Sequence, residues 1–453
     1  MQCSAPFLVP NPSRESAPSD TVKTDRKTAQ RRVKTNELDF ARAFFDQDSQ
    51  AVAPESKKCV PDIASLRFPP YTAQKRPVRI MLKSHLSEAA VYSTSRADVR
   101  SGGKNIPFRG RMLLEALRGK TAVKATVNNV RRKLSLPCTL VVHGDAHLLE
   151  LGEKSYRGTL VVTAEKNHTI SILNVLPVED YLRGVVPLEI GRLKKSEIEA
   201  LKAQAVAART YTYKRMAENV LNTFDMLPTV ADQVYGGANV EHLEADMAVL
   251  ATKDLIMVYD DSVINAFYHS TCGGRTADVK DVWGGMEPCP YLRSVRDVDS
   301  TGKAYCSWSK LFTWKENWSR SQLSSIMRRF SNEGRLSKPY RGTVRKIKVS
   351  DRFSCGRIKS CTILSSGGSY LSGGDRIRFL MRRNTKSNPI LFSSRFRIRI
   401  SGNRVDVSGR GYGHGVGMCQ VGAIGRARAG QNFARILKAY YSGIHIRTVT
   451  DSR

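Results

Sequence analysis

Gly409-Arg410-Gly411-Tyr412-Gly413-His414-Gly415-Val416-Gly417-Met418-Cys419-Gln420 stands near the C-terminus and places glycine at every second position from 409 to 417. Interior glycines weaken strands and helices, because glycine surrenders the most backbone freedom on folding. A stretch this rich in glycine is predicted to need positive φ, or to bring its backbone close to another group. A flexible linker is the poorer reading, since linkers pair Gly with Ser and do not fix a His, a Tyr and a Met in place. The expected structure is a loop almost bare of side chains, presenting His414 and Gln420 to a bound molecule.

Around that loop, 453 residues suffice for one large domain or two. Lys and Arg total 73 against 41 Asp and Glu, a net charge of +32. Such a surface attracts polyanions: nucleic acid, anionic lipid or anionic cell-wall polymer. No RNA-binding signature, helix-turn-helix or zinc finger is present, so nucleic acid is the weakest of these partners. No run of about 20 apolar residues could span a bilayer as a helix. Met1 to Pro10 lacks a basic start followed by a long apolar core, which taken alone predicts a cytoplasmic protein.

Residues 1–76 are rich in Ser, Pro, Lys and Arg and read as a basic, mostly disordered arm, with a short apolar-faced helix over 38–45. From 77 to 175 the pattern alternates, with strands at 78–82, 140–142, 158–162 and 170–173, and predicts a β-rich lead-in. Ser196-Glu197-Ile198-Glu199 reads as a capping box that starts an Ala-dense helix over 200–215. Residues 176–300 form the expected core of activity. Residues 301–400 are mixed and basic, with a helix at 321–330 and strands at 344–349, 357–363 and 396–400. Residues 401–449 hold the Gly-rich loop and a helix at 434–441. The fold class is mixed α+β, β-rich, with a few helices around an open groove.

Five blocks in order carry a resemblance. They are Leu176-Pro177-Val178-Glu179-Asp180-Tyr181-Leu182-Arg183-Gly184-Val185-Val186-Pro187-Leu188-Glu189, the helix from Ala200 through Gln204 and Arg209 to Tyr211, Asp232-Gln233-Val234-Tyr235-Gly236-Gly237, Phe267-Tyr268-His269-Ser270-Thr271-Cys272-Gly273-Gly274-Arg275-Thr276 with Val282-Trp283, and the Gly-rich loop. Together they resemble the stage II sporulation protein D and amidase-enhancer family of cell-wall proteins, with weaker similarity over 78–446. The resemblance implies a lytic transglycosylase that cuts the MurNAc–GlcNAc bond of peptidoglycan and leaves a 1,6-anhydro-MurNAc end. Its substrate would be glycan strands, stripped of stem peptides in the sporulation members. Other members enhance an amidase, which would then be a partner. The resemblance also places the protein at the cell envelope, against the reading of the N-terminus.

The resemblance puts a catalytic glutamate at Glu189. Breaking a glycosidic bond needs a proton on the leaving oxygen. Hydrolases add a second carboxylate to activate water or attack the sugar. Here the sugar's own C6 hydroxyl is the nucleophile, so one carboxyl can act as acid and then as base. Apolar Val185, Val186, Leu188 and Ile190 would desolvate it. The family often has Ser, Glu, Met at this place, whereas this chain has Leu188, Glu189 and Ile190, losing a nearby hydroxyl.

His269, Ser270 and Thr271, running into Gly273-Gly274, are expected to bind sugar hydroxyls or the lactyl carboxylate; packed structural roles are the alternative. Gln204 and Arg209 support the site or bridge to backbone carbonyls. Tyr235 stacks on a sugar ring or fills the core. His414, Gly415 and Gln420 complete the substrate-binding set. Gly415→Val is expected to cost activity more than melting temperature. Some sporulation members resemble zinc proteins, with cysteines before the Gln-Val-Tyr block. Phe224 to Gln233 here holds neither Cys nor His, and none of the nine cysteines forms a C-x-x-C pair, so no metal and no cofactor are expected. The pairs closest in sequence for a disulfide are Cys355–Cys361 and Cys289–Cys306.

Overall fold

The computed structural model describes residues 75–118, 121–144, 148–283 and 289–450. The predicted arm over 1–76, apart from Lys75 and Arg76, and the helix over 38–45 lie outside the described residues.

Alternating β-branched residues build the first layer. Val78–Leu86, Ile170–Leu176, Thr159–Ala164, Cys138–Val142, Glu88–Ser101, Lys104–Ala116, Ala122–Val127 and Val130–Ser135 hydrogen-bond in that order as an antiparallel sheet, with a short hairpin of Leu149–Leu151 and Lys154–Tyr156 at its side. Its buried face carries Val78, Ile80, Val91, Leu114, Leu140, Leu160 and Ile172. Asp225 ties the first strand to the following helical layer. It is buried and is gripped by Arg76 at 2.7 Å and Arg79 at 2.8 Å. Those contacts hold its carboxyl below the ordinary carboxylate range, against the opposing effect of burial, which is the largest single influence.

The last strand of the sheet runs through Pro177 into α1 (Val178–Arg183) and α2 (Val186–Glu189). Gly184 separates the two helices because a Cβ there would meet the Tyr235 ring. The long helix α3 (Ile198–Glu218) buries fourteen of its side chains, five of them Ala between 200 and 208. Such small side chains let α2, α4 (Leu243–Ala251), α8 (Gln420–Arg428) and α9 (Phe433–Tyr440) approach it from several sides. The start of α3 differs from expectation. Ser196 lies in a 3-10 turn, and the reciprocal cap joins Lys194 to Glu197, whose carboxylate accepts the Lys194 amide at 3.1 Å. Glu197 also binds Arg428 of α8 at 2.6 Å, so the cap sits where a distant cation holds its carboxylate.

Residues 313–410 gather a core of their own. Thr313–Ser319, Arg404–Arg410 and Phe396–Ser401 form one sheet, and Val344–Arg352, Ile358–Ser365 and Gly368–Ser372 another. Trp318, Leu323, Met327, Ile363, Tyr370 and Val405 fill the space among them and α6 (Arg320–Arg329). The expected boundary at 400 therefore moves to about 410, since Arg404–Arg410 pairs with Thr313–Ser319 throughout its length. Between the main core and this unit lie the small helix α5 (Val279–Val282) and the loops leading to residue 312; α7 (Ile377–Leu380) packs inside the unit. The architecture is a mixed α+β fold with several sheets, as the sequence predicts.

Candidate functional site

The Gly-rich loop adopts the backbone that its composition predicts. Gly411, Gly413, Gly415 and Gly417 all have positive φ, from 69° to 102°. The loop is laced into the main core on both edges. Thr271 and Tyr412 exchange backbone hydrogen bonds at 2.9 and 2.7 Å, the Ala277 amide donates to the Gly415 carbonyl at 2.7 Å, and Tyr268–His269 pairs in parallel with Met418–Cys419. The opposite edge meets the inserted unit, where the Gly413 amide donates to Phe392 and Trp314 Nε1 donates to the Gly411 carbonyl at 2.9 Å. The loop is thus a seam between the two cores.

His414 and His269 pack against each other in this seam, ring centroids 5.6 Å apart and planes tilted by 59°, with Trp283 5.0 Å from His414. His414 Nε2 donates to the Tyr268 carbonyl at 3.0 Å and Nδ1 accepts the Val416 amide at 3.1 Å. Both nitrogens are satisfied only by the neutral ring. His269 Nδ1 donates to the Val416 carbonyl at 3.1 Å, while its buried Nε2 has no protein partner among the described residues. Burial, then the nearby Arg357 guanidinium, pushes the His269 pKa down to about 3. Burial and the neighbouring His269 push His414 well below its ordinary value.

Neutral buried histidines make stability depend on pH in a definite direction. Unfolded, each titrates near 6.5; folded, each resists protonation. Below about pH 6.5 the unfolded chain binds more protons, so stability falls with falling pH, the His269 share continuing to about pH 3. The slope approaches about 1.4 kcal/mol per pH unit for each histidine. Urea midpoints at pH 7.5 and 5.0 should differ accordingly, and His269→Gln should shrink the difference. Equal pH sensitivity in the variant would contradict this assignment.

Glu189 ends α2 at 2% exposure, in a stretch where Val185, Val186, Pro187 and Ile190 are also buried. Its Oε1 accepts the Val234 amide at 2.9 Å, so the first and third sequence blocks meet at this carboxyl. Tyr181 and Tyr268 lie near enough for its charge to add to the burial that raises both phenols. Both hydroxyls bond Gln233, at 3.2 and 3.1 Å. Tyr268 and His269 are successive strand residues, so their side chains leave opposite faces, the phenol toward Gln233 and the imidazole toward the loop. Gln204 of α3 and Gln420 of α8 meet at 3.4 Å, with Gln204 Nε2 buried and without a protein partner.

For several residues the structural alternative is the one that holds. Arg209 is fully buried, paired through two hydrogen bonds with Glu179 at 2.6 and 2.8 Å and capping the Val249 and Leu255 carbonyls. It locks α1, α3 and α4 together and does not reach outward. Tyr235 packs between Tyr156 and Tyr181 and donates to Asn174 at 2.8 Å, which makes it a core aromatic. Ser270 and Thr271 are buried with their hydroxyls 3.2 Å apart. Gly273 and Gly274 turn with φ of 72° and 95°, and a Cβ on Gly273 would crowd Arg410 and Gly411. The expected open groove lined by these side chains is corrected by their burial: Glu189, Gln204, His269, Ser270, Thr271, His414 and Gln420 are all closed from solvent in this conformation. The loop and the 268–272 segment zip together around His269 and His414.

One constellation was missed in the sequence. Cys272, Cys306 and Cys419 converge with Asp297, all four buried, with their ligand atoms within 4.8 Å of one another. The cysteines lie up to 147 residues apart; the pairing of residues 268–272 with 412–419 brings Cys272 to Cys419, and the turn over 297–306 adds Asp297 and Cys306. Neither pair closest in sequence is bridged: Cys306 Sγ lies 3.5 Å from Cys272, and no disulfide joins the described cysteines.

With this geometry in hand, comparison with known proteins is direct. The family model described as stage II sporulation protein matches residues 166–259, which contain Glu189, Gln204, Arg209 and Tyr235. A second, described as a domain of unknown function, matches 302–417 and so covers the inserted unit and most of the Gly-rich loop. An uncharacterized protein of Brachyspira hyodysenteriae is 32% identical over 282 residues, 62% of this chain and 69% of its own length. The amidase enhancer of Bacillus subtilis is 31% identical over 289 residues, but the match spans 58% of this chain and only 39% of that protein. Stage II sporulation protein D of Bacillus subtilis is 29% identical over 286 residues, 60% of this chain and 74% of that protein. The chain belongs to the stage II sporulation protein D and amidase-enhancer family, a cell-wall-related family. Among the described residues no helix is long and apolar enough to cross a membrane.

Proposed function

We propose that this protein cleaves the MurNAc–GlcNAc bond of peptidoglycan glycan strands as a lytic transglycosylase, with Glu189 as acid and then base. The observation that carries the reading is the Glu189 carboxyl itself, set in a buried apolar stretch and anchored by the Val234 amide where two blocks of the family meet. As acid, Glu189 protonates the glycosidic oxygen as the C1–O bond breaks. As base, it takes the proton of the C6 hydroxyl while O6 bonds to C1, which closes the 1,6-anhydro ring without water. The Val234 amide fixes the oxygen that does not carry the proton. Anchoring of this kind holds a catalytic group in a productive orientation.

Purified protein is to be incubated with glycan strands stripped of stem peptides, and the products read by mass spectrometry. Anhydro-MurNAc ends are the expected result. Their absence, with intact strands recovered, overturns the catalytic reading. A second reading has its own support: the near-complete burial of Glu189, together with a relative named amidase enhancer, fits a glycan-binding module that stimulates a cell-wall amidase. In that case strands stay intact while a partner amidase releases peptides faster in the presence of this chain.

Either reading places the protein at the cell envelope and makes wall binding partly electrostatic. The +32 charge attracts lactyl carboxylates and anionic wall polymers, and exposed charges are screened over about 8–10 Å at physiological salt. Co-sedimentation with glycan should weaken several-fold from about 20 to 150 mM salt. Binding unchanged across that range would remove the electrostatic component, and tighter binding to duplex DNA at 150 mM would favour nucleic acid as the partner.

A further inference from the structure

We propose that Cys272, Cys306, Cys419 and Asp297 form a structural zinc site that staples the Gly-rich loop to the main core. The site is independent of the cleavage chemistry above and lies on different residues. Four ligands of this kind are the number and type that a closed tetrahedral zinc centre takes. With Zn–S near 2.3 Å, tetrahedral ligand atoms stand about 3.8 Å apart. Cys272 Sγ lies 3.5 Å from Cys306 Sγ and 3.3 Å from Asp297 Oδ2, and the whole set fits within 4.8 Å, so small rotamer shifts complete the shell. Thiolate donors select zinc over magnesium or calcium, which prefer oxygen.

The surroundings orient these donors. The Gly274 amide donates to Cys272 Sγ and the Gly422 amide to Cys419 Sγ, each at 3.2 Å. Cys419 is also the N-cap of α8, where the helix end favours a thiolate. Asp297 Oδ1 is held by Arg426 at 3.0 Å and Tyr440 at 2.9 Å, which turns Oδ2 toward the sulfurs. Outer partners that fix a ligating carboxylate in this way are a regular part of metal centres. Gly422 leaves the space: a Cβ there would run into the Asp297 carboxylate and the Tyr440 hydroxyl. Charge also balances. Three thiolates and one carboxylate carry four negative charges; zinc removes two. Arg426, paired with Asp297 at 3.0 Å, and Arg395, bonded to the Gly273 carbonyl at 2.9 Å, offset the other two.

The consequence is mechanical. Cys272 ends the segment that carries His269, Cys419 ends the Gly-rich loop, and Cys306 precedes the inserted unit. A metal bonded to all three fixes the chain on both sides of the insertion. The full chain, purified without an affinity tag that binds metal, should contain about one zinc per molecule by elemental analysis and native mass spectrometry. Replacing zinc with cobalt should give thiolate-to-cobalt charge-transfer absorption. Chelation should lower the melting temperature by at least about 5 °C and expose three further reactive thiols. Cys306→Ser should lose the zinc, and Cys361→Ser, in the inserted unit, should keep it. Should Cys306→Ser fail to fold, the metal content and chelator response of the wild-type chain still decide. Metal-free protein, a Cys272–Cys306 disulfide, iron or copper in place of zinc, or zinc retained in Cys306→Ser would each overturn the proposal.

Discussion

Glu189→Gln is expected to lower glycan cleavage by at least about two orders of magnitude, the usual share of a general acid–base group. The fold should hardly change. Glutamine keeps the side chain's volume and leaves a carbonyl oxygen to accept the Val234 amide at the place where Oε1 now lies 2.9 Å away. The buried apolar stretch of Val185, Val186, Pro187 and Ile190 tolerates the neutral amide more readily than a charge, so stability should stay within about 1 kcal/mol. What disappears is a proton that can be given and retaken. Counting anhydro-MurNAc ends per enzyme per minute against the melting temperature of each protein separates these effects. Cleavage retained by a folded Gln variant would sink the single-acid mechanism. Stimulation of an amidase retained by the same variant would leave the binding-module reading standing.

Periodicity made part of the architecture legible, though not the four strands over 88–135 that fill half of the first sheet. The alternation from Val78 onward, the Ala-dense helix and the late helices all lie where the sequence places them, because their signals are local. The start of α3 was not legible, because Glu197 answers to Arg428, 231 residues away. The same limit governs the site. Glycine spacing predicts positive φ at 411, 413, 415 and 417, since backbone demand is written in the residues themselves. Whether an imidazole faces a ligand or a carbonyl depends on what packs opposite. His414 proves to be satisfied by Tyr268 and Val416, and Arg209 by Glu179. The sulfur cluster was hidden for a related reason. Its cysteines carry none of the short spacings that mark metal motifs, and only tertiary pairing makes them neighbours.

Gly415→Val is expected to lower stability by about 3 kcal/mol or more, at least about 4 °C in melting temperature, and activity along with it. This reverses the expectation that activity would suffer first. The sequence presents Gly415 as part of a glycan-contacting surface; the structure buries it at a φ of 92° against the Arg357 guanidinium, where a Cβ has no room. Left-handed backbone costs a side chain about 1–2 kcal/mol, and a β-branched one more. Arg357 cannot easily step aside, being 2% exposed, 3.3 Å from the Ser394 hydroxyl and 3.9 Å from Asp375. Moving it strains a buried charge, and shifting the loop breaks the 2.7 Å bond from the Ala277 amide to the Gly415 carbonyl. The two contributions separate in a double-mutant cycle. Arg357→Met makes room without easing φ, so in that background Gly415→Val should cost only the backbone share, about 1–2 kcal/mol. An undiminished cost there would assign the whole effect to backbone strain. An unchanged melting temperature in the single variant, with cleavage abolished, would return the loop to the substrate surface and require the seam between the two cores to open for glycan.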